Sequence, residues 1–287
     1  MFKILSKTLR TGIVTIGYPG AAATVSERFR GAPRFGFARW RDARPAAEVC
    51  PTEAISIREP DSGTRHVTVD YGLCIYCGQC AEANNDGAIE ITREFELAAR
   101  QRSDLVLNAE YTLNPDGSHG QLKRARRGFS AAEENSEPFE QKVRERIQRV
   151  LGRSLAIRQV DAGSCNGCEL EIGALNNPVY DLERLGIHFV ASPRHADMLL
   201  VTGPVTRNME LALRKTYRAM AEPRVVVAAG ACGTSGGIFG RNYATAGGVD
   251  EVVPVDVYIP GCPPRPHALL HGILLAMGRL KQKATPA

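Results

Sequence analysis

The chain has 287 residues, which at roughly 150 residues per domain predicts two domains. Its composition of 44% hydrophobic and 23% charged residues is that of a globular protein and excludes a disordered or fibrous chain. The net charge of +5 and the single Trp do not indicate nucleic-acid binding, and no stretch approaches the roughly 18 consecutive apolar residues of a membrane-spanning helix.

The eight cysteines favour an intracellular protein. They fall in closely spaced groups, and a chain of this length can bury a core without disulfides, so we expect reduced thiols. A cytosolic location is the better interpretation. Export is the alternative, because a basic N-terminus precedes a short apolar stretch and Ala21–Ala23, but Gly12 and Gly17 interrupt that stretch.

Residues 1–12 are predicted to form a short amphipathic helix. One side of it is apolar, with Phe2, Ile4, Leu5 and Leu9, and the other is basic, with Lys3, Lys7 and Arg10. This pattern is typical of a helix that lies on a membrane surface or on a partner. A frayed basic terminus is the alternative.

Residues 31–100 contain an internal repeat with a period of 34 residues. Each half aligns with the motif C-x2-C-x2-C-x3-C-P followed by a strand with the pattern A-I-x-I, although neither half keeps all four cysteines. In ferredoxins with two clusters, this motif gives three cysteines to one iron–sulfur cluster and its last cysteine to the other. One cluster would use Cys50, Cys74, Cys77 and Cys80; the other would need cysteines where the chain has Trp40, Ala43, Ala46 and Asn84. We therefore predict that one site is complete and the other is lost.

Zinc is the alternative ligand of these cysteines, although closed zinc sites usually pair two CxxC arms. A second alternative is that Cys50 is an ordinary core residue.

Residues 1–107 resemble the polyferredoxin-type electron-transfer subunit of formate hydrogenlyase, which is related to the two-cluster subunit of respiratory complex I. The resemblance rests on MFKILSKTLRTG, FRG, VDYGLCIYCGQCAE and ITREFELA. It implies a small α+β domain of the bacterial ferredoxin type with one 4Fe–4S cluster. The missing first cluster is a departure from that family.

Residues 108–152 are predicted to be a linker followed by a connecting helix. The segment 114–138 is polar and contains Gly, Pro and Ser, and its KRARR run is interpreted as solvated rather than nucleic-acid binding. The helix is indicated by apolar residues at helical spacing, Phe139, Val143, Ile147 and Val150.

From residue 153 to about residue 280, short apolar strands alternate with helical stretches. The predicted strands are Leu155–Val160, Ile187–Ala191, Met198–Thr202 and Arg224–Ala229, and the predicted helices are 178–185, 207–220 and 265–280. This alternation predicts an α/β domain with a parallel sheet, followed by a tail of residues 281–287.

Four further cysteines follow apolar stretches of this domain. Cys165 and Cys168 lie in GSCNGCELE, Cys232 lies in GACGTSGG and Cys262 lies in YIPGCPPRP. Loops that follow parallel strands meet at the carboxyl edge of the sheet, so we expect these cysteines to form one ligand set. Neighbouring glycines would let backbone N–H groups approach the sulfurs: Gly163, Gly167, Gly230, Gly233, Gly236 and Gly237.

Two alternatives explain less of this pattern. A phosphate-binding loop at 230–237 would need the Lys-Ser/Thr of a P-loop, which is absent there. A thioredoxin-like redox pair of Cys165 and Cys168 leaves Cys232 and Cys262 unexplained. The six histidines show no ligand pairing and are expected to be surface or core residues, including His195 and His267.

Residues 153–280 resemble the small subunit of nickel–iron hydrogenases, closest to the membrane-bound energy-converting group and homologous to the 20 kDa subunit of complex I. The resemblance rests on CNGCELE, GACGTSGG and VDVYIPGCPPRP. It implies a flavodoxin-like fold in which Cys165, Cys168, Cys232 and Cys262 bind the proximal 4Fe–4S cluster. Glu169 would line a proton path or partner contact, or be an exposed residue of a first helical turn. In the complex I relatives the first two of these cysteines are adjacent, whereas here Asn166 and Gly167 separate them.

Together the resemblances imply a natural fusion of two hydrogenase subunits. The chain would be a non-catalytic electron-transfer subunit of an oxidoreductase, with two 4Fe–4S clusters and no catalytic residue or nucleotide site. Its partners would be a large subunit with a nickel–iron centre and further electron-transfer and membrane-arm subunits, which would hold it on the cytoplasmic face of the inner membrane. The alternatives are a quinone-reducing relative of complex I and, in another class, a zinc-binding structural adaptor.

Overall fold

The computed structural model describes residues 2–61, 63–126 and 154–283. In the first part the elements are α1 (Phe2–Thr11), β1 (Pro33–Phe35), α2 (Arg44–Glu48), β2 (Ile55–Asp61), β3 (Thr64–Asp70), α3 (Gln79–Ala83), β4 (Ile89–Ile91), β5 (Val106–Leu113) and β6 (His119–Arg126). In the second part they are β7 (Leu155–Asp161), α4 (Gly167–Ala174), β8 (Ile187–Phe189), β9 (Met198–Thr202), α5 (Arg207–Ala219), β10 (Val225–Ala229), α6 (Gly230–Ser235), β11 (Val257–Ile259) and α7 (Pro266–Ala276). The predicted helix that contains Phe139, Val143, Ile147 and Val150 lies outside the described residues.

The second part is built on a five-stranded parallel sheet in the order β8-β7-β9-β10-β11. Every residue of β9 and β10 is buried, as expected for central strands that are covered on both faces. With β7 counted as the first strand, the order is 2-1-3-4-5, which is the flavodoxin-like arrangement. The predicted α/β fold is confirmed, and all four predicted strands are present.

One of the three predicted helices in this part is shorter than expected. The segment 178–185 contains only one turn of 3-10 helix, Leu182–Leu185. Asp181 and Gly186 flank this turn with positive φ angles of 45° and 76°, which lie outside the right-handed helical region and end the helix on both sides.

The first part has an α+β structure with two antiparallel sheets. One sheet pairs β1 with β4, and the other has the order β2-β3-β5-β6. The sequence repeat is visible in the structure, because the A-I-x-I pattern places Ile55 in β2 and Ile89 in β4.

The predicted linker is wrong for residues 108–126. These residues belong to the hairpin β5–β6, and β5 pairs with β3 from Val106 to Thr112. Alternate residues of β5, Leu107, Ala109 and Tyr111, are buried, and the turn between the strands contains Asp116-Gly117. Alternating apolar residues around an Asp-Gly turn are a hairpin signal in the sequence. The polar composition of the segment favoured a linker instead.

The hairpin packs against the positions at which the repeat predicts a lost cluster site. Trp40, Ala43 and Ala46 are buried with Phe35 and Phe37 in an aromatic core. From β6, His119 Nδ1 lies 3.0 Å from the Trp40 carbonyl oxygen, and the Ala43 N–H donates to His119 Nε2 at 3.3 Å. Three of the four positions at which the repeat predicts lost ligands are therefore occupied by buried, packed side chains.

Helix α1 has no buried residue, and its apolar side chains are exposed. No helix among residues 2–61, 63–126 and 154–283 is long and apolar enough to cross a membrane.

Candidate metal centres

Four cysteines of the first part, called here the N-terminal quartet, lie in two segments of the chain that pack together. They are Cys50, Cys74, Cys77 and Cys80. Cys50 directly follows α2, and Cys80 lies in α3, which packs against α2. Cys74 and Cys77 lie in the turn between β3 and α3. None of the eight cysteines forms a disulfide.

The turn that carries Cys74 and Cys77 has two residues with left-handed backbone. Tyr76 has a φ of 57° and Gly78 has a φ of 86°. The reversal directs the Tyr76 N–H toward the Cys74 sulfur at 3.4 Å, while the Arg30 guanidinium donates to the Cys77 carbonyl oxygen at 2.7 Å. The turn is therefore held from both sides.

Burial and mutual charge act on the thiols of the N-terminal quartet. Burial raises the pKa of Cys80 to about 11, and negative charge on Cys77 and Cys50 raises it further. Burial also raises the pKa of Cys74 strongly, with further contributions from Cys80, Cys50 and Cys77. Because burial and neighbouring negative charge both disfavour the ionised forms of Cys74 and Cys80, ionising these two thiols needs a compensating positive centre, which is what a bound metal supplies.

Cys165, Cys168, Cys232 and Cys262, called here the C-terminal quartet, lie at the carboxyl edge of the parallel sheet. Cys165 and Cys168 follow β7, with Cys168 in the first turn of α4. Cys232 follows β10 and Cys262 follows β11. Cys168 is buried, whereas Cys165 and Cys262 are exposed. The predicted convergence of the three loops at one edge is what the topology produces.

Two glycines make room for the sulfurs of this quartet. A Cβ added at Gly230 would lie 2.7 Å from the Cys168 sulfur, and one at Gly237 would lie 2.8 Å from the Cys232 sulfur. Their φ angles of 85° and 56° also favour glycine. The predicted loop 230–237 is helical up to Ser235, and its other glycines are confined by neighbouring backbone rather than by sulfur.

The C-terminal quartet shows the same coupling of burial and charge. Burial raises the pKa of Cys232 to about 11, with contributions from Cys262 and Cys165. The pKa of Cys168 is raised strongly by burial, and the Glu169 carboxylate adds to the effect. Four cysteines on glycine-lined loops fit a group that binds thiolates and brings positive charge, and a set of four cysteines is the donor set of a 4Fe–4S cluster.

Glu169 is not an exposed residue of the first helical turn. Its carboxylate accepts a hydrogen bond from Ser164 Oγ at 2.7 Å and another from the Thr202 hydroxyl at the end of β9. It therefore ties the loop of Cys165 and Cys168 to the neighbouring strand.

Single-ion sites are a separate matter. Within the described parts of the chain, no three His, Cys, Asp or Glu side chains have the geometry to hold one metal ion. In a cubane cluster each thiolate binds a different iron, so its ligands need not meet at one point.

The histidines were expected to be surface or core residues. His195 is exposed, whereas His267 and His271 are buried in α7, and burial lowers the pKa of both to about 4.

Hydrogen bonds connect the segments that carry the two quartets, which sequence reasoning did not foresee. The hydroxyls of Thr234 and Ser235, just after Cys232, both donate to the Gly72 carbonyl oxygen at 2.8 Å, just before Cys74. Arg102 pairs with Asp70 at 2.8 and 2.7 Å and donates to the Thr234 carbonyl oxygen at 3.0 Å. The turn of Cys74 is thus fixed to the helix of Cys232. No short-range pattern signals the contacts of Thr234 and Ser235, because their partners are more than 100 residues away in the chain.

Residues 165–276 match the model of a family described as "NADH ubiquinone oxidoreductase, 20 Kd subunit". The chain is 50% identical over 137 residues to formate hydrogenlyase subunit 7 of Escherichia coli, a match that covers 48% of this chain and 54% of that protein. It is 48% identical over 132 residues to a probable membrane-bound hydrogenase subunit of Pyrococcus furiosus, covering 46% of this chain and 79% of that protein. It is 49% identical over 116 residues to a subunit of the NADH-quinone oxidoreductase of Mycolicibacterium vanbaalenii, covering 40% of this chain and 62% of that protein.

The chain therefore spans about half the length of the Escherichia coli relative, and each of these matches covers less than half of the chain itself. The match to the Pyrococcus furiosus subunit combines high identity with coverage of most of that protein. The similarity and the flavodoxin-like sheet agree on one assignment: the chain belongs to the family of the 20 kDa subunit of NADH:ubiquinone oxidoreductase.

Proposed function

We propose that this chain is the iron–sulfur electron-transfer subunit of a membrane-associated hydrogenase complex of the formate hydrogenlyase type. In this proposal the N-terminal quartet and the C-terminal quartet each hold one 4Fe–4S cluster. The observation that carries it is the direct connection of the two quartets through Gly72, Thr234 and Ser235. When bound, the clusters supply one-electron transfer without bond chemistry.

The residues of the chain have three tasks in this function. They present eight reduced thiols in two sets, they partly bury the N-terminal quartet, and they fix the distance between the two sets. Arg102 serves the third task, because it binds Asp70 on one side and the Thr234 carbonyl on the other. Half-buried charged pairs with two hydrogen bonds are among the stronger polar contacts in proteins.

The edge of the C-terminal quartet has the character of a partner surface. Cys165 and Cys262 are exposed there, and Leu170 and Phe239, which are close in sequence to Cys168 and Cys232, are exposed apolar residues. Exposed apolar side chains beside a polar rim mark protein interaction sites. We propose that the large subunit with the nickel–iron centre docks at this edge.

The spacing of Cys165 and Cys168 favours hydrogen over quinone as the partner chemistry. Asn166 lies between them with a left-handed φ of 68°, a conformation that Asn tolerates better than most residues. The two thiols would therefore reach separate irons with little strain. In the complex I relatives, by contrast, the first two cluster cysteines are adjacent, so the spacing in this chain is that of hydrogenases. Sequence identity does not separate the two chemistries, since the hydrogenase relatives and the quinone oxidoreductase relative are all 48–50% identical to this chain.

Metal analysis of the complex purified from its source organism tests this choice. We expect nickel in the complex and hydrogen evolution from a reduced viologen dye. Quinone reduction by a complex without nickel would overturn the hydrogenase proposal and favour the relative of complex I, with both cluster assignments unchanged. A colourless chain that contains zinc in place of iron would favour the structural adaptor instead.

Helix α1 is proposed to attach the complex to the membrane. Its apolar residues are exposed, its basic residues suit an anionic lipid surface, and none of its side chains is buried in this chain. Deleting residues 1–12 is expected to move a large share of the complex from the membrane fraction to the soluble fraction, with the iron content unchanged. The double substitution Leu5→Ser and Leu9→Ser is the matched variant, because it keeps the helix length and charge. A truncated complex that stays fully membrane-bound and active would show that α1 is not an anchor.

A further inference from the structure

A small cleft lies between the two quartets. Its volume is about 130 Å³, and its lining includes Ile75 and Tyr76 from the turn of the N-terminal quartet and Cys262 and Pro263 from the C-terminal quartet. The Arg265 guanidinium closes another side, where it lies 4.7 Å from the ring centre of Phe29. Tyr76 therefore lies where the two sites face each other.

The Tyr76 hydroxyl is buried and has no hydrogen-bond partner among the described residues. Other buried tyrosines of the chain have partners for their hydroxyls: Tyr18 donates to Glu96, Tyr71 to the Pro33 carbonyl, Tyr111 to the Phe37 carbonyl and Tyr258 to Asp250. A buried hydroxyl without a partner costs free energy, and nearly all such groups in folded proteins are satisfied. The Tyr76 hydroxyl is therefore expected to have an acceptor other than the described residues 2–61, 63–126 and 154–283.

The backbone of Tyr76 is also unusual. A φ of 57° is unfavourable for a bulky residue other than glycine and occurs mostly where function requires it. The same backbone directs the Tyr76 N–H to the Cys74 sulfur. The Tyr76 N–H thus lies next to a sulfur of the N-terminal quartet, and the Tyr76 side chain packs against the same hydrophobic core as Cys74 and Cys80.

We propose that Tyr76 is a positioning residue whose hydroxyl donates a hydrogen bond to a sulfur of the iron–sulfur group held by the N-terminal quartet. This inference rests on the proposed function of that quartet. Reduction adds one negative charge to the group, and hydrogen bonds to its sulfurs stabilise the added charge. Tyr76 thereby raises the reduction potential of the N-terminal site, at the place where it faces the C-terminal site.

The test is an EPR-monitored redox titration of the anaerobically purified full chain with Tyr76→Phe. This change keeps the ring and removes the hydroxyl. We expect the midpoint potential of the N-terminal site to shift to more negative values and that of the C-terminal site to stay the same. The signal of the N-terminal site is identified as the one that Cys77→Ser removes. Tyr111→Phe is the control, because it removes a buried hydroxyl of the same domain that already has a protein acceptor.

An unchanged potential in Tyr76→Phe with full iron content, or an equal shift in Tyr111→Phe, would overturn the inference. If Tyr76→Phe loses iron, the wild-type sequence containing 3-fluorotyrosine, a stronger hydrogen-bond donor, decides instead. Its N-terminal potential must then shift to more positive values. A wild-type chain without iron in the N-terminal quartet would contradict the proposed function itself, which is a different result from an unchanged potential.

Discussion

The variants Cys50→Ser and Cys77→Ser are expected to lose the same irons, although 27 residues separate the two cysteines (77 − 50). The wild-type chain should bind about eight irons, and each variant should bind about four. The structural reason is that Cys50 follows α2 and Cys80 lies in α3, and the two helices pack against each other. Negative charge on Cys50 and Cys77 raises the pKa of Cys80, so all three thiols share one environment.

The double variant with both Cys50→Ser and Cys77→Ser tests whether the two cysteines serve one cluster or two. If Cys50 and Cys77 serve one cluster, the double variant should still bind about four irons and keep the EPR signal of the C-terminal site. Cys165→Ser is the matched control, and it should remove the other signal. A double variant that has lost both signals, or single variants that lose different signals, would refute the assignment of Cys50 to the N-terminal quartet.

Replacing Trp40 by Ala is expected to destabilise the first part of the chain by about 3–5 kcal/mol. Trp40 is 2% exposed and packs against Phe35, Phe37 and His119. Its removal leaves a large cavity in a core that the hairpin β5–β6 closes from one side. Urea unfolding followed by far-UV circular dichroism should show a lower midpoint for the first part.

Trp40→Phe is the matched variant for this experiment. The indole Nε1 of Trp40 is buried and has no partner among the described residues, so its removal leaves no new polar group unsatisfied. We expect Trp40→Phe to lower the free energy of unfolding clearly less than Trp40→Ala does. Equal midpoints for Trp40→Ala and the wild type would show that the aromatic core does not stabilise this region.

Ala46→Cys alone should add no iron, because three ligands of the predicted lost site would still be missing.

The sequence was sufficient for the features that depend on local pattern. The strands around Met198–Thr202 and Val225–Ala229 followed from continuous apolar runs, because a parallel strand covered on both faces needs apolar residues at every position. The grouping of eight cysteines into two quartets followed from a repeat and from the rule that loops after parallel strands meet at one edge. That grouping stays a prediction until iron is measured.

The hairpin β5–β6 shows where pattern and composition conflict. Its polar and basic residues predicted a linker, whereas its buried residues Leu107, Ala109 and Tyr111 form half of a sheet face. A strand with one solvated face has few apolar residues, so its composition resembles that of a loop and does not reveal the strand. Only pairing with β3 makes these few apolar residues sufficient, because they are then buried against the core that contains Trp40.

The sequence by itself determined the parallel-sheet fold and the position of each cysteine along the chain, because both are encoded in spacings of a few residues. The tertiary structure alone decided that the turn of Cys74 is hydrogen-bonded to the helix of Cys232, that Arg102 joins Asp70 to that helix, and that the Tyr76 hydroxyl has no partner among the described residues. These facts depend on contacts between residues far apart in the chain. Such contacts leave no periodic trace in the sequence, since they form only when burial of the common core brings the two parts of the chain together.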